Sequence, residues 1–274
     1  VHCKKSRLYH SGAVAERVGI VLAKRGFVIS ESSEGLRVQV RIVRDEMRLA
    51  VDTSGEPLDK RGWKVRTAKA PLRADLARAG LRLGGWRPGR PLLDPCVGSG
   101  TIVLEAAHWA SGRPPGWDRA FAFEQRPDFD AAAYAELRVM MRGPEVPGCI
   151  VGSDRDEGAI AQATDNAARA DLSKAVRLEV VTVGRREVLE ELRGGVLVTN
   201  PPWGLRTGKP EQLVGLYRGL GSLAQRQGLD LAMWSSRWDL MRAGHPALEP
   251  LMHTELGGVK VTLAGAKGPA NSPA

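Results

Sequence analysis

Two stretches of this chain carry residue types whose spacing could do chemistry. The first is Asp94-Pro95-Cys96-Val97-Gly98-Ser99-Gly100-Thr101. Gly98 and Gly100 lack a Cβ, so the backbone can take positive φ and approach a ligand closely. A helical pattern follows at once, and its free N–H groups would point at the ligand's polar end. A nucleoside triphosphate fits poorly, because a P-loop needs Gly-Lys-Ser/Thr and the chain reads Gly100-Thr101-Ile102. The third glycine of a dinucleotide fingerprint is missing too. The second stretch is Asn200-Pro201-Pro202-Trp203, after the apolar run Val196-Leu197-Val198. That run reads as a buried parallel strand, which two prolines cannot continue. The chain must therefore leave the sheet at Asn200, setting an amide and an indole at the carboxyl end of a strand. Open α/β sheets bind their ligands there.

Asp154 closes the strand Cys149-Ile150-Val151-Gly152-Ser153, where a carboxylate can accept both hydrogen bonds of a ribose diol. It stands 60 residues after Asp94, against roughly 20 in a Rossmann unit. An insertion at 111–149 must loop out to make up the difference. Asp154 and Asp156 equally suit the N-cap and first turn of the next helix, and one can cap while the other binds. His108 and His245 are isolated and read as packing or surface residues.

These residues need a sheet to bring them together, and residues 68–267 supply the pattern for one. Strands are expected at 91–93, 149–154, 177–183, 196–199, 229–234 and 258–264. Helices alternate with them at 72–83, 101–109, 157–170 and 213–225, with Pro71 at the start of the first. Shorter helices are expected near 129–141, 188–192 and 238–241. Alternating strands and helices give an α/β, doubly wound, Rossmann-like domain. Residues 1–67 read as a small partial α/β module. It holds a helix at 13–24 with Val14, Val18, Val21 and Leu22 on one face, and a hairpin of 36–43 with 47–51. The tail 268–274 is expected to be disordered.

The 274 residues carry a net charge of +9. Residues 1–67 hold 14 Lys and Arg against 8 Asp and Glu, so most of the excess sits in the smaller module. Such a module suits a polyanion, with Lys4, Lys5, Arg7, Lys60, Arg61, Lys64 and Arg66 as candidate phosphate contacts. No apolar run is long enough for a transmembrane helix, so no membrane partner is expected. Cys3, Cys96 and Cys149 are too scattered for a zinc site or disulfide framework, which suits a cytoplasmic protein without a metal. The chain begins at Val1, which suggests an N-terminally truncated product or a non-ATG start.

The motifs in this order, Asp-Pro-x-x-Gly-Ser-Gly-Thr, Gly-Ser-Asp-x-Asp and Thr-Asn-Pro-Pro-Trp-Gly, resemble those of THUMP-associated class I RNA methyltransferases. The similarity is strongest to bacterial enzymes that methylate guanine N2 in 23S rRNA. Lys5–Ala13 and Leu49–Gly55 are similar to the end of that family's THUMP segment, Lys60–Trp63 and Lys69–Arg73 to its linker, and Phe121–Asp130 to an insertion of the rRNA branch. The resemblance implies S-adenosylmethionine as cofactor, with Gly98, Ser99 and Gly100 against its methionine end. Pro95 and Thr101 would flank that turn, Asp94 would lie near the amino group, and Asp154 would hold the ribose. Asn200 and the Pro201 carbonyl would orient the exocyclic amine, Pro202 would shape the loop, and Trp203 would stack on the flipped base. The expected partner is RNA, rRNA first and tRNA as the alternative; a non-catalytic RNA-binding relic is the reading from another class. The chain departs from the family at Val183-Gly184-Arg185-Arg186, where an acid usually contacts adenine.

Overall fold

The computed structural model describes residues 1–30, 35–63, 72–204 and 210–268. In chain order the elements are β1 (His2–Lys4), α1 (Ser11–Ala23), β2 (Arg37–Val43), β3 (Glu46–Asp52), α2 (Ala74–Leu83), β4 (Leu92–Asp94), α3 (Thr101–Ala110) and α4 (Ala131–Met141). They continue as β5 (Ile150–Asp154), α5 (Glu157–Arg169), β6 (Arg177–Val180), β7 (Val196–Thr199), α6 (Pro210–Gln227), β8 (Asp230–Ser235), α7 (Trp238–Gly244), β9 (Glu249–Leu256) and β10 (Val259–Ala266). The residues form two compact units, one of Val1–Leu58 with Arg119–Val139, the other of Asp59–Asp118 with Met140–Ala274.

In the first unit, β1 pairs parallel with β2, and β2 pairs antiparallel with β3. Arg44 and Asp45 both take positive φ at the hairpin turn, the twist that a two-residue connection between antiparallel strands requires. The core is thin: Val14, Val40 and Ile42, with Cys3 and Val18 against them. Val21, expected on the packed face of α1, is 57% exposed and lies outside that small core. The segment from Arg119 joins this unit through hydrogen bonds. Arg119 donates to the carbonyls of Ser54 and Pro57 at 2.9 Å each, and Phe123 N–H donates to Thr53 O at 3.1 Å. Phe121, Phe123, Phe129 and Tyr134 then pack ring against ring. The division by compactness thus assigns part of the 111–149 insertion to the amino-terminal unit, which a boundary placed along the sequence does not anticipate.

The second unit is an α/β fold of the kind the sequence resemblance implies, strands alternating with helices. Its mixed sheet has seven strands in the order β6-β5-β4-β7-β8-β10-β9. The first five are parallel; β10 runs antiparallel to both neighbours. Burial on both faces explains the unbroken apolar strands. Leu92, Val196 and Val198 face a core with α2, α3 and α5, while Leu93 and Leu197 face one with α6 and α7. The third strand of the sequence reading is shorter than expected, ending at Val180, and Val183–Arg185 forms a 3-10 turn. The residues expected as a helix at 188–192 give only the 3-10 turn Glu190–Leu192. β9 was not foreseen: it is an edge strand carrying Pro250, with mostly exposed residues, so its apolar signal is weak. Pro71, residues 64–70 of the linker and the tail from 269 lie outside the described residues; α2 itself begins at Ala74 after Arg73.

A buried ion pair fixes the entry to this unit. Arg61 Nε donates to Glu105 Oε1 at 2.7 Å and Nη2 to Oε2 at 3.1 Å, both groups being buried. Arg78 reaches the same carboxylate at 3.7 Å and lies over the Trp109 ring. Burial, more than Glu105 can offset, lowers the Arg78 pKa to about 10. Glu105→Ala leaves two guanidinium groups without their carboxylate and is expected to cost about 3–5 kcal/mol of stability in urea unfolding. A loss below about 1 kcal/mol would show that the cluster is not essential to the fold.

Candidate active site

The strand order reverses between β4 and β7, so the carboxyl ends of these two strands flank the topological switch point. Asp94 ends β4 and Thr199 ends β7. Their side chains meet: the buried Thr199 Oγ1 donates to Asp94 Oδ1 at 2.8 Å, and Cys96 N–H donates to the same oxygen at 3.2 Å. Asp94 is only 1% exposed, and burial raises its pKa to about 7 despite those two hydrogen bonds, with the nearby Asp154 charge adding to the rise.

The turn after Asp94 is built on two left-handed glycines, Gly98 at φ +51° and Gly100 at φ +88°. They do different work. A Cβ on Gly98 would meet nothing within 4 Å, so this residue borders open space. A Cβ on Gly100 would come 3.2 Å from the Ala163 Cβ of α5, so this residue lets the turn close onto that helix. Pro95, Ser99 and Thr101 are buried and shape the turn from within. Asp154 joins the turn directly. Its Oδ2 accepts from Gly98 N–H at 3.1 Å, and its Oδ1 accepts from Asp156 N–H at 3.1 Å. Asp156 is the N-cap of α5, accepting from Gly158 N–H at 2.8 Å. The two aspartates have therefore divided the work, one capping the helix and one turned to the glycine turn.

The loop after β7 is held from below and behind. Pro201 is buried and Pro202 exposed. The buried Tyr217 of α6 donates to Pro202 O at 3.4 Å and shares a 2.7 Å hydrogen bond with Ser235 Oγ at the end of β8. Trp203 is half-buried against the first core, and its indole N–H donates to Trp234 O at 3.2 Å. Asn200 differs from its neighbours. Its Oδ1 is buried yet has no hydrogen-bond partner among the described residues. A buried carbonyl oxygen left without a donor costs about 1–3 kcal/mol, which marks a place where a ligand N–H would be welcome. Leu205 and Arg206, which follow Gly204, lie outside the described residues.

Residues 61–255 match the family model described as RMKL-like, methyltransferase domain. The chain belongs to this family. Solved structures agree on the fold. SMU.472, described as "a putative methyltransferase complexed with SAH", superposes with a TM-score of 0.83 at 24% identity, covering 98% of this chain and 73% of the other. A Listeria monocytogenes protein described as a predicted N6-adenine-specific DNA methylase gives 0.81 at 28% identity, covering 98% and 72%. TrmN from Thermus thermophilus gives 0.69 at 25% identity, covering 97% and 70%. S-adenosylmethionine is the donor expected from the sequence, and SAH, which SMU.472 holds, is what remains of it after methyl transfer. The residues present suit it: two carboxylates beside a positive-φ turn with open space at Gly98, and an unpaired buried amide oxygen on the facing loop. Among the described residues no cluster of His, Cys, Asp and Glu could hold a metal ion, and no helix is long and apolar enough to cross a membrane.

Sequence reasoning missed four contributors to the RMKL-like domain's site: Thr199, Asn166, Tyr217 and Ser235. Thr199 had a signal, a hydroxyl closing an apolar strand. Asn166 had one also, an amide beside the Ala163 and Ala167 stripe of α5. Tyr217 and Ser235 are ordinary residues until the fold joins them.

The buried carboxyl of Asp94 gives a pH test. Its folded pKa lies above the unfolded value of 3.8, so the folded protein holds the extra proton and stability falls as pH rises from about 4 to 7. The whole shift corresponds to on the order of 4 kcal/mol. Asp94→Asn keeps an acceptor for Thr199 and Cys96 without the charge. It should raise the Tm by several degrees at about pH 8 and much less at about pH 5. An equal gain at both pH values would contradict the assignment.

Proposed function

We propose that this protein methylates the exocyclic N2 amine of a guanine in RNA, with 23S rRNA as the substrate. The observation that carries the reading is the buried Oδ1 of Asn200 at the carboxyl end of β7, which has no partner among the described residues. A guanine amine is a weak nucleophile because its lone pair is delocalised into the ring. Two acceptors can hold both N–H bonds and turn the lone pair out of the ring plane. In this reading Asn200 Oδ1 accepts one N–H and the Pro201 carbonyl accepts the other. No strong base is required, since the proton leaves only after the methyl group has arrived. S-adenosylmethionine supplies the electrophilic sulfonium methyl. Asp94 would accept from the ammonium group of its methionine end and Asp154 from its ribose diol. Asp154 has the capacity, because a carboxylate offers about four acceptor positions and two are in use. Trp203, oriented by its bond to Trp234 O, would offer its exposed part to the flipped base, and such stacking is worth about 1–3 kcal/mol.

The amino-terminal unit is, in this proposal, a partial THUMP-like RNA-docking module, supported by its excess of Lys and Arg. Cys3, Cys96 and Cys149 are free cysteines, and we place the protein in the cytoplasm. A tRNA guanine is the alternative substrate, and the likeness to TrmN favours keeping it.

Transfer of labelled methyl groups to total RNA tests the proposal. Wild type should transfer, and Asn200→Ala should lose about 100-fold or more in kcat, the scale of one preorganised polar contact. Affinity for S-adenosylhomocysteine should change far less. A wild-type protein that binds S-adenosylhomocysteine and methylates no RNA would refute the enzyme reading, as would an Asn200→Ala variant of undiminished activity.

A further inference from the structure

We infer that Asn166 is a positioning residue that holds the methyl-donor turn in its binding conformation; the inference rests on the reading that the donor lies against Gly98–Gly100. Asn166 sits on α5, has no exposed surface, and makes a buried hydrogen bond from Nδ2 to the backbone carbonyl of Ser99 at 3.0 Å. Ser99 is the residue between the two left-handed glycines. Glycine pairs give a turn many alternative conformations, and confining them costs more entropy than for any other residue. Something outside the turn must therefore select one state.

The other hydrogen bonds act at its edges. Val97 N–H donates to Ser153 O at 2.9 Å, Gly98 N–H to Asp154, and Gly100 N–H to Val97 O at 2.9 Å. Only the Asn166 amide among these grips the peptide between the glycines from another element. The grip is oriented as well as made. Arg169 Nη1 lies 3.5 Å from Asn166 Oδ1, which keeps the amide nitrogen turned toward Ser99. One turn earlier on the same helix, Ala163 fills the space a Gly100 side chain would need. The helix is itself tied to Asp156 at its start, two residues after Asp154. A single rigid element thus fixes both the proposed ribose carboxylate and the backbone of the turn. Asn166 does not face the open space, so its effect on the donor passes through Ser99.

Asn166→Ala removes the donor, and Asn166→Asp sets an acceptor against the Ser99 carbonyl. In the chain of residues 1–274, calorimetric titration with S-adenosylhomocysteine should show Kd raised by roughly tenfold or more in both variants, the loss expected for one buried hydrogen bond. In methyl transfer, KM for S-adenosylmethionine should rise by a similar factor, with kcat and KM for RNA close to wild type. Thermal unfolding run alongside separates folding from positioning. Variants that melt earlier but bind S-adenosylhomocysteine with wild-type Kd while folded would overturn the inference, because a purely structural amide predicts that result. If one variant does not fold, the other decides on the same criterion. The titration needs no RNA, so it stands even if the guanine-N2 reading fails. A wild-type protein that binds no S-adenosylhomocysteine would overturn the donor-site reading and this inference together.

Discussion

The hydrogen bond from Thr199 to Asp94 is the constraint on which the rest of the site depends. It joins the ends of β4 and β7, neighbouring strands that lead into opposite halves of the sheet. Both partners are almost wholly buried, so the bond is made away from competing water. On one side of it the chain enters the glycine turn, and on the other it breaks out of the sheet at Asn200. The two walls of the site are therefore set against each other by a single side-chain contact at their root. Each wall then has its own support: Asp154 and α5 behind the turn, Tyr217 and Trp234 behind the loop.

Such an arrangement keeps polar groups where folding alone would not put them. Asp94 is buried with its carboxyl pKa raised to about 7, and Asn200 carries a buried oxygen without a donor among the described residues. Each lowers the stability of the isolated protein, and each becomes satisfied on the proposed reading when a cationic donor and an amine are bound. Buried polar groups at active sites commonly trade stability for preorganisation in this way. The contrast lies in the Arg61–Glu105 cluster, where buried charges are paired within the fold.

Much of this was legible in the chain. The apolar runs at β4, β5, β7 and β8 announced a sheet buried on both faces, and the breaks at Asp94, Asp154 and Asn200 marked where three of its strands end. Local chemistry predicted the glycine turn because Gly98 and Gly100, two positions apart, can both take positive φ. What escaped was set by contacts distant in sequence. Thr199 reads as one more strand residue until β7 lies beside β4. Asn166 is an unremarked polar residue on α5 until that helix packs on the turn. β9 carries too few buried residues to show its period, and its strand exists because β10 offers it an edge. The packing of Arg119–Val139 with residues 1–58 has the same origin, since hydrogen bonds to Thr53, Ser54 and Pro57 leave no trace in local pattern.

The central claim is that this RMKL-like domain presents its Asn200 loop to the N2 amine of guanine. Its most direct test is mass spectrometry of nucleosides from RNA incubated with the protein and methyl-labelled S-adenosylmethionine. The account predicts that the label is recovered in N2-methylguanosine. Label recovered in N6-methyladenosine, with none in N2-methylguanosine, would contradict it.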